Sequence, residues 1–319
     1  MNRTQLILAV VLLFQVVLIA TFYSTDHAEA ASAPPHPLIP ELSTLQPTKI
    51  LLEGSDASLS LSKSGETWSV DDADGFPANR EKIETMISSL TDISVRRPVV
   101  SNSRYHASVE VTEDEPRARV KIFGAGTEPE VDLIVGSSSN YRVTHVRRAE
   151  DDEVYEARGV NSFDLSTDQS SWIERKLSDL SLDDVAGVRV VNEIGAFEIE
   201  KVDGVWTLAS PAGETSLDST KVDSLVRSLT SLSITDPVGR VDELAHGFAA
   251  PAAVVVFKTA EGEIELKIGG LTGDENNKRY VTRTGFGFTG TIWKGNVSRV
   301  VEQGLADLMV DGAALGAGK

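Results

Sequence analysis

The sequence predicts an α+β protein of two tandem repeated units, each a largely antiparallel sheet with packed helices, preceded by one N-terminal transmembrane helix. Three observations carry that expectation. Residues Thr4 to Thr25 form a run of 22 residues without a charge, the same order of segments recurs 138–139 residues further on, and apolar alternation of period two gives way in each copy to helical spacing. The expected organisation is a membrane anchor over 1–25, a stalk over 26–44, repeat units over 45–178 and 179–310, and a flexible tail over 311–319.

The anchor comes first. Its densest part, Leu6 to Tyr23, spans about 27 Å at ~1.5 Å per helical residue, close to a bilayer core of about 30 Å. Arg3 flanks one side and Asp26 and Glu29 the other, which orients the N-terminus to the cytoplasm and the C-terminal bulk outside. A cleaved secretory signal is the competing reading, because Ala28-Glu29-Ala30 has a small-x-small cleavage pattern. Either reading exports the bulk to the periplasmic side. The stretch Ala28 to Pro40 (AEAASAPPHPLIP) carries four prolines and suits an extended stalk.

In the first unit, Lys49 to Gly54, Ser58 to Lys63 and Glu66 to Val70 read as strands, then Asn79 to Ile93 as a helix. In the second, Gly187 to Asn192, Ala196 to Lys201 and Val205 to Ala209 precede a helix over Asp218 to Ile234. Trp68 and Trp206 are 138 residues apart, while Lys82 and Lys221, and the tripeptides Ser89-Leu90-Thr91 and Ser228-Leu229-Thr230, are 139 apart. Duplication accounts for several matches at nearly one offset. Leu59 and Leu61, like Phe197 and Ile199, alternate with polar residues, and Val222, Leu225, Val226 and Leu229 share a helix face behind an Asp218 N-cap. Four further strands are expected per unit, over 119–123, 131–136, 141–147 and 154–158, and over 253–258, 264–268, 280–284 and 291–294. Helical sequence, Trp172 to Leu180 and Val297 to Leu308, closes each unit.

Composition narrows the function. With 30 Lys and Arg against 48 Asp and Glu, the formal charge of −18 repels phosphate backbones, so the bulk surface does not suit nucleic acid. The absence of Cys removes disulfide scaffolds, thiol catalysis, Fe–S clusters and thiolate zinc sites.

Individual motifs have bland readings. Gly285-Phe286-Gly287-Phe288-Thr289-Gly290 fits G-x-G-x-x-G, yet strand-like sequence follows it, which makes it a hairpin turn. Asp72, Asp74, Gly75 and Glu81 fall at positions 3, 5, 6 and 12 of a calcium loop, but Val70 at position 1 removes a principal ligand. That stretch reads as a solvated acidic turn, with a weak cation site as the alternative. Gly273 to Asn277 reads as a polar turn. His27, His36, His106, His145 and His246 have no ligand or triad spacing to one another, and Arg142, Arg147 and Arg148 against Glu150 to Glu153 read as a hairpin with solvated charges. Trp172 and Trp293 are expected in the core. No catalytic, cofactor-binding or metal-binding residue is designated, and no cofactor is expected.

The segment WIERKLSDLSLDDVAGVRV (Trp172 to Val190), the strands and Asp-capped helix over Phe197 to Leu232, GFAAPAAVVVF (Gly247 to Phe257) and the strand ending Ile268-Gly269 resemble the bacterial domain of unknown function 4340 (DUF4340) family. The resemblance implies an envelope accessory role, since such proteins are often encoded beside ABC exporters and gliding-motility-type transporters. It carries packing and turn residues, and no catalytic ones. The expectation is a membrane-anchored, periplasmic-side accessory or scaffold protein that contacts protein partners, ABC transporter subunits among them, and binds no nucleic acid. An exported hydrolase with a dispersed carboxylate site and a ligand-sensing envelope domain are the alternatives.

Overall fold

Two eight-stranded, largely antiparallel sheets dominate the computed structural model, which describes residues 11–19, 34–140, 142–213, 216–273 and 277–310. In chain order the first half contributes β1 (His36–Pro37), β2 (Lys49–Glu53), β3 (Ser58–Ser64), β4 (Thr67–Val70), β5 (Phe76–Pro77), helix α1 (Arg80–Thr91), β6 (Ser94–Val95), β7 (Ala118–Phe123), β8 (Val131–Asn140), β9 (Val143–Arg148) and β10 (Val154–Ala157). The second contributes β11 (Gly187–Asn192), β12 (Gly195–Val202), β13 (Val205–Ser210), α2 (Ser219–Thr230), β14 (Pro237–Arg240), β15 (Ala253–Thr259), β16 (Gly262–Leu271), β17 (Lys278–Arg283), β18 (Phe288–Trp293) and α3 (Lys294–Glu302). The α+β class is thus as expected.

The two sheets share a strand order. The first sheet runs β10-β9-β8-β7-β2-β3-β4-β5, and the second, read from its other edge, runs β14-β18-β17-β16-β15-β11-β12-β13. Seven strands match in sequence, β10 to β4 against β18 to β13, and Trp68 and Trp206 lie buried on the corresponding strands β4 and β13. The hydrogen bonds repeat too. Asn79 N–H donates to the Trp172 carbonyl at 2.7 Å and Asp218 N–H to that of Leu308 at 2.9 Å, beside the bridges Ala78 to Ile173 and Leu217 to Met309. Both helices begin directly after these joints. The Asp218 carboxylate accepts from the Thr220 and Lys221 N–H groups, and Val222, Leu225, Val226 and Leu229 form the buried face of α2.

The chain divides into two compact units, residues 1–58 with 82–167 and residues 59–81 with 168–319. Repeat and compact unit are therefore different divisions of the chain. Within the second unit, the Phe76 ring meets Phe286 at 5.4 Å and Phe288 at 5.3 Å, which is why the β3–β5 ribbon groups there. In the same unit α2 touches α3, and α3 lies against β11 and β18.

Five expectations need correction or restriction. Trp172 to Leu180 is not a helix: Trp172, Ile173 and Leu177 are buried, but the backbone bonds to other segments, Glu174 N–H to Pro77 and Leu177 N–H to Leu232. At the other end, helix stops at Glu302 and only a 3-10 turn, Leu305–Leu308, follows. Trp293, expected in the core, is 49% exposed, with the Lys278 ammonium 4.5 Å from its ring centre. The end of the expected stalk belongs to the folded body, because Leu38, Ile39 and Leu42 are buried and β1 pairs with β6. Of the anchor, residues 11–19 are helical with exposed side chains, and the rest of Leu6 to Tyr23 lies outside the described residues. No helix among the described residues is long and apolar enough to cross a membrane.

Candidate functional site

The most exposed aromatic side chain among the described residues is held in place by a capped turn. Asn161 caps the 3-10 turn Ser162–Leu165: its Oδ1 accepts from the N–H groups of Phe163 at 2.9 Å and Asp164 at 3.2 Å, and Asp164 Oδ2 accepts from Asn161 N–H. Leu165 plugs the core while Phe163 stands 82% exposed. The ring forms a lip common to two clefts. One, of about 840 Å³, is lined by the β2–β3 turn Gly54 to Ala57 and by Glu110, Glu115 and Arg117. The other, of about 870 Å³, is lined by Arg117, Ser137, Ser138, Asn140, Arg142 and Thr144. Arg117 fixes the lip by donating to Ser162 Oγ at 3.0 Å and Glu110 Oε2 at 2.7 Å.

Ser137 and His145 look like a nucleophile and its base, but their hydrogen bonds run the wrong way. His145 Nδ1 lies 2.8 Å from the Ser137 carbonyl oxygen, so that nitrogen carries the proton and cannot accept one from the Ser137 hydroxyl 3.3 Å away. The hydroxyl donates instead to the Val109 carbonyl at 3.2 Å.

The residues singled out from sequence lie apart from this surface, His145 and Arg142 excepted. Asp71 and Asp72 spend their carboxylates on β3: Asp71 Oδ2 accepts from the Ser60 and Ser62 hydroxyls at 2.7 and 2.6 Å, and Asp72 Oδ2 from Ser60 N–H at 2.8 Å. Asp74 takes the left-handed conformation that turns the chain into β5. Among the described residues no group of three His, Asp or Glu could hold a metal ion. The glycine-rich motif is the expected hairpin turn between β17 and β18, and its two phenylalanines join Phe76, with Arg240 4.1 Å from the Phe288 ring centre. His106 and His246 are buried, the former bonded at Nε2 to the Asp152 carbonyl (2.9 Å) and the latter at Nδ1 to Thr289 Oγ1 (3.0 Å). His36 on β1 is exposed, and Glu81 is exposed on α1. His27 and the middle of the Gly273 to Asn277 turn lie outside the described residues.

The basic cluster departs from the solvated hairpin expected. Arg147 is 3% exposed and its guanidinium grips the carbonyl oxygens of Val111 (3.0 Å), Ala149 (2.9 Å) and Asp151 (2.9 Å), stitching two loops to β9. Arg148 bonds Glu41 at 2.6 Å and Glu150 at 2.9 Å.

Two features escaped the sequence reading. Phe163 sits in no amphipathic pattern, and only the Asn161-x-x-Asp164 capping box signals a fixed turn there. A third cleft, of about 700 Å³, opens beside β10 and is lined by Pro35, Asp92, Arg96, Arg97, Val143, Glu156 and Arg158, among others. Its signal was the pair Arg96-Arg97 standing where the second repeat has Thr235-Asp236, a 139-residue correspondence already fixed by the helices. On the same strand, the Tyr155 hydroxyl donates to Glu153 Oε2 at 2.5 Å, and burial, reinforced by that carboxylate, pushes its pKa up to about 12.

A family model described as Domain of unknown function (DUF4340) matches residues 68–251, more than half of the chain and across the join of the two repeats. No curated protein and no solved structure matches.

Proposed function

From the premise that the chain belongs to the DUF4340 family, we propose that it is a membrane-anchored accessory protein whose folded residues stand on the periplasmic side and contact protein partners of an envelope ABC-type transport system. One observation carries the contact reading. A phenylalanine 82% exposed on a turn fixed by its own cap is an ordered apolar anchor already presented to solvent, between two clefts whose polar rims suit a protein partner. Pre-ordering lowers the entropy lost on association. The anchor and its orientation rest on the charge-free run Thr4 to Thr25 and on Arg3 at its N-terminal flank. The test is affinity purification of the full chain from gently solubilised membranes, wild type against Phe163→Asp. Transporter subunits are expected with the wild type and at least tenfold less of them with the variant, at equal thermal stability. Equal recovery from both would remove Phe163 from the contact, and a wild-type chain that brings down no envelope protein would remove the reading itself.

A further inference from the structure

The two repeats differ at one edge, and the difference is chemical. In the second repeat the segment before β14 closes on β18: Thr235 N–H donates to the Thr291 carbonyl at 2.7 Å and Thr291 N–H to the Asp236 carbonyl at 2.9 Å. The Asp236 carboxylate then collects the Thr291 hydroxyl at 2.9 Å and the Lys278 ammonium at 2.5 Å, while Lys278 also covers the Trp293 ring. Register places the first-repeat counterparts. Val135 pairs with Val146 and Val146 with Tyr155, as Ile268 pairs with Val281 and Val281 with Gly290, so one residue further on Glu156 stands for Thr291, and with it Val143 for Lys278 and Arg158 for Trp293. The 139-residue spacing puts Arg97 at the place of Asp236.

There the edge is open. Val154 exchanges hydrogen bonds with Val99 and Val100, Val99 N–H donating to its carbonyl at 2.8 Å and Val154 N–H to that of Val100 at 2.8 Å. By the alternation of antiparallel strands the N–H and C=O of Glu156 face the same side, and among the described residues they meet no partner there. The acid, the lysine and the covering ring of the second repeat are replaced by Arg97, Val143 and Arg158 around the cleft of about 700 Å³. Neither Arg97 nor Arg158 has an ion-pair partner among the described residues. Arg96 adds a third guanidinium to the lining, against the carboxylates of Asp92 and Glu156, the latter accepting from Ser139 Oγ at 3.2 Å. Two guanidinium groups without an ion-pair partner among the described residues, Arg97 and Arg158, thus lie beside a free strand edge in a chain of net charge −18.

We infer that this cleft takes an extended acidic peptide segment of a partner, which adds to the β10 edge at Glu156 as residues 235–236 add to β18 and places its carboxylates on Arg97 and Arg158. Main-chain hydrogen bonds supply strand addition and the arginine forks select acid. The inference rests on the protein-contact reading only in taking the occupant to be a peptide. It is tested with the full-length protein in detergent and a fluorescent octapeptide of alternating Thr and Glu, blocked at both ends. Saturable binding is expected, weakened at least tenfold by Arg97→Glu or Arg158→Glu, lost when Lys replaces Glu in the peptide, and lost when two central Thr are replaced by Pro, which cannot donate to the edge. Should a charge reversal unfold the chain, Arg97→Gln with unchanged circular dichroism serves in its place. No binding by the wild type, binding indifferent to both arginines, or equal displacement by inorganic phosphate would overturn the inference. Loss of the peptide result with transporter subunits still recovered on wild-type protein would leave the contact reading standing. Peptide binding without such recovery would do the reverse.

Discussion

At the scale of single residues, burial decides which polar groups matter, and sequence conveys burial poorly. Arg147 sits in a run with Arg148 and near four acids, so composition pointed to solvent, but the loops at Val111 and at Ala149 to Asp151 cover its face of β9, and their carbonyls take its donors. Arg147→Ala is expected to lower stability by about 2–4 kcal/mol, because three loop carbonyls, that of Val111 buried, lose a charged donor. Arg147→Lys should recover less than half, since an ammonium cannot span the fork; chemical denaturation measures both. Tyr155 offers a spectroscopic counterpart. Its folded pKa of about 12 lies above the ordinary tyrosine value, so its contribution to stability is complete below about pH 10 and is lost as pH rises through about 12. Absorbance titration should show one of the five tyrosines ionising late, and Glu153→Gln should bring that ionisation earlier. A late tyrosine unmoved by that substitution would mean the carboxylate has no part in the shift.

At the scale of elements, periodicity was legible where one face is buried. Leu59 and Leu61 on β3, Phe197 and Ile199 on β12, and the apolar face of α2 lie where alternation and helical spacing put them. It misled where tertiary hydrogen bonds override a helical spacing, as in Trp172 to Leu180, and where an element ends on the outer edge, as at Trp293. Of the candidate surface almost nothing was legible, because Phe163 and the β10 cleft arise from loops that the second repeat does not share. What sequence could not show at all is the tight fit of two glycines at matching places. A Cβ on Gly136 would stand 2.1 Å from the Val109 carbonyl oxygen, and one on Gly269 would stand 2.2 Å from that of His246. Gly136→Ala and Gly269→Ala should each cost about 1–3 kcal/mol in thermal or denaturant unfolding, whereas Gly126→Ala, with open space around it, should change little. Equal effects at all three positions would mean that the close approach is not what requires glycine.

For the whole molecule, the shared strand order of the two sheets sets what is common to the repeats, and their edges set what differs. Seven matching strands per repeat form the scaffold, and the differences gather on the first repeat: a capped turn bearing Phe163 where the second repeat continues into α3, and an arginine cleft where the second closes its ladder. These departures, an exposed aromatic side chain and an open edge, are the surfaces on which the proposed contacts rest. The net charge of −18 should also make association with basic partner surfaces slow as ionic strength rises, measurable as a falling on-rate between about 50 and 300 mM salt. The most direct measurement places a photo-crosslinking amino acid at position 163 in living cells, with a second at the exposed Glu302 as control. The account predicts a discrete crosslink to an envelope membrane protein from position 163 and none from 302; crosslinks absent from 163, or the same from both positions, would contradict it.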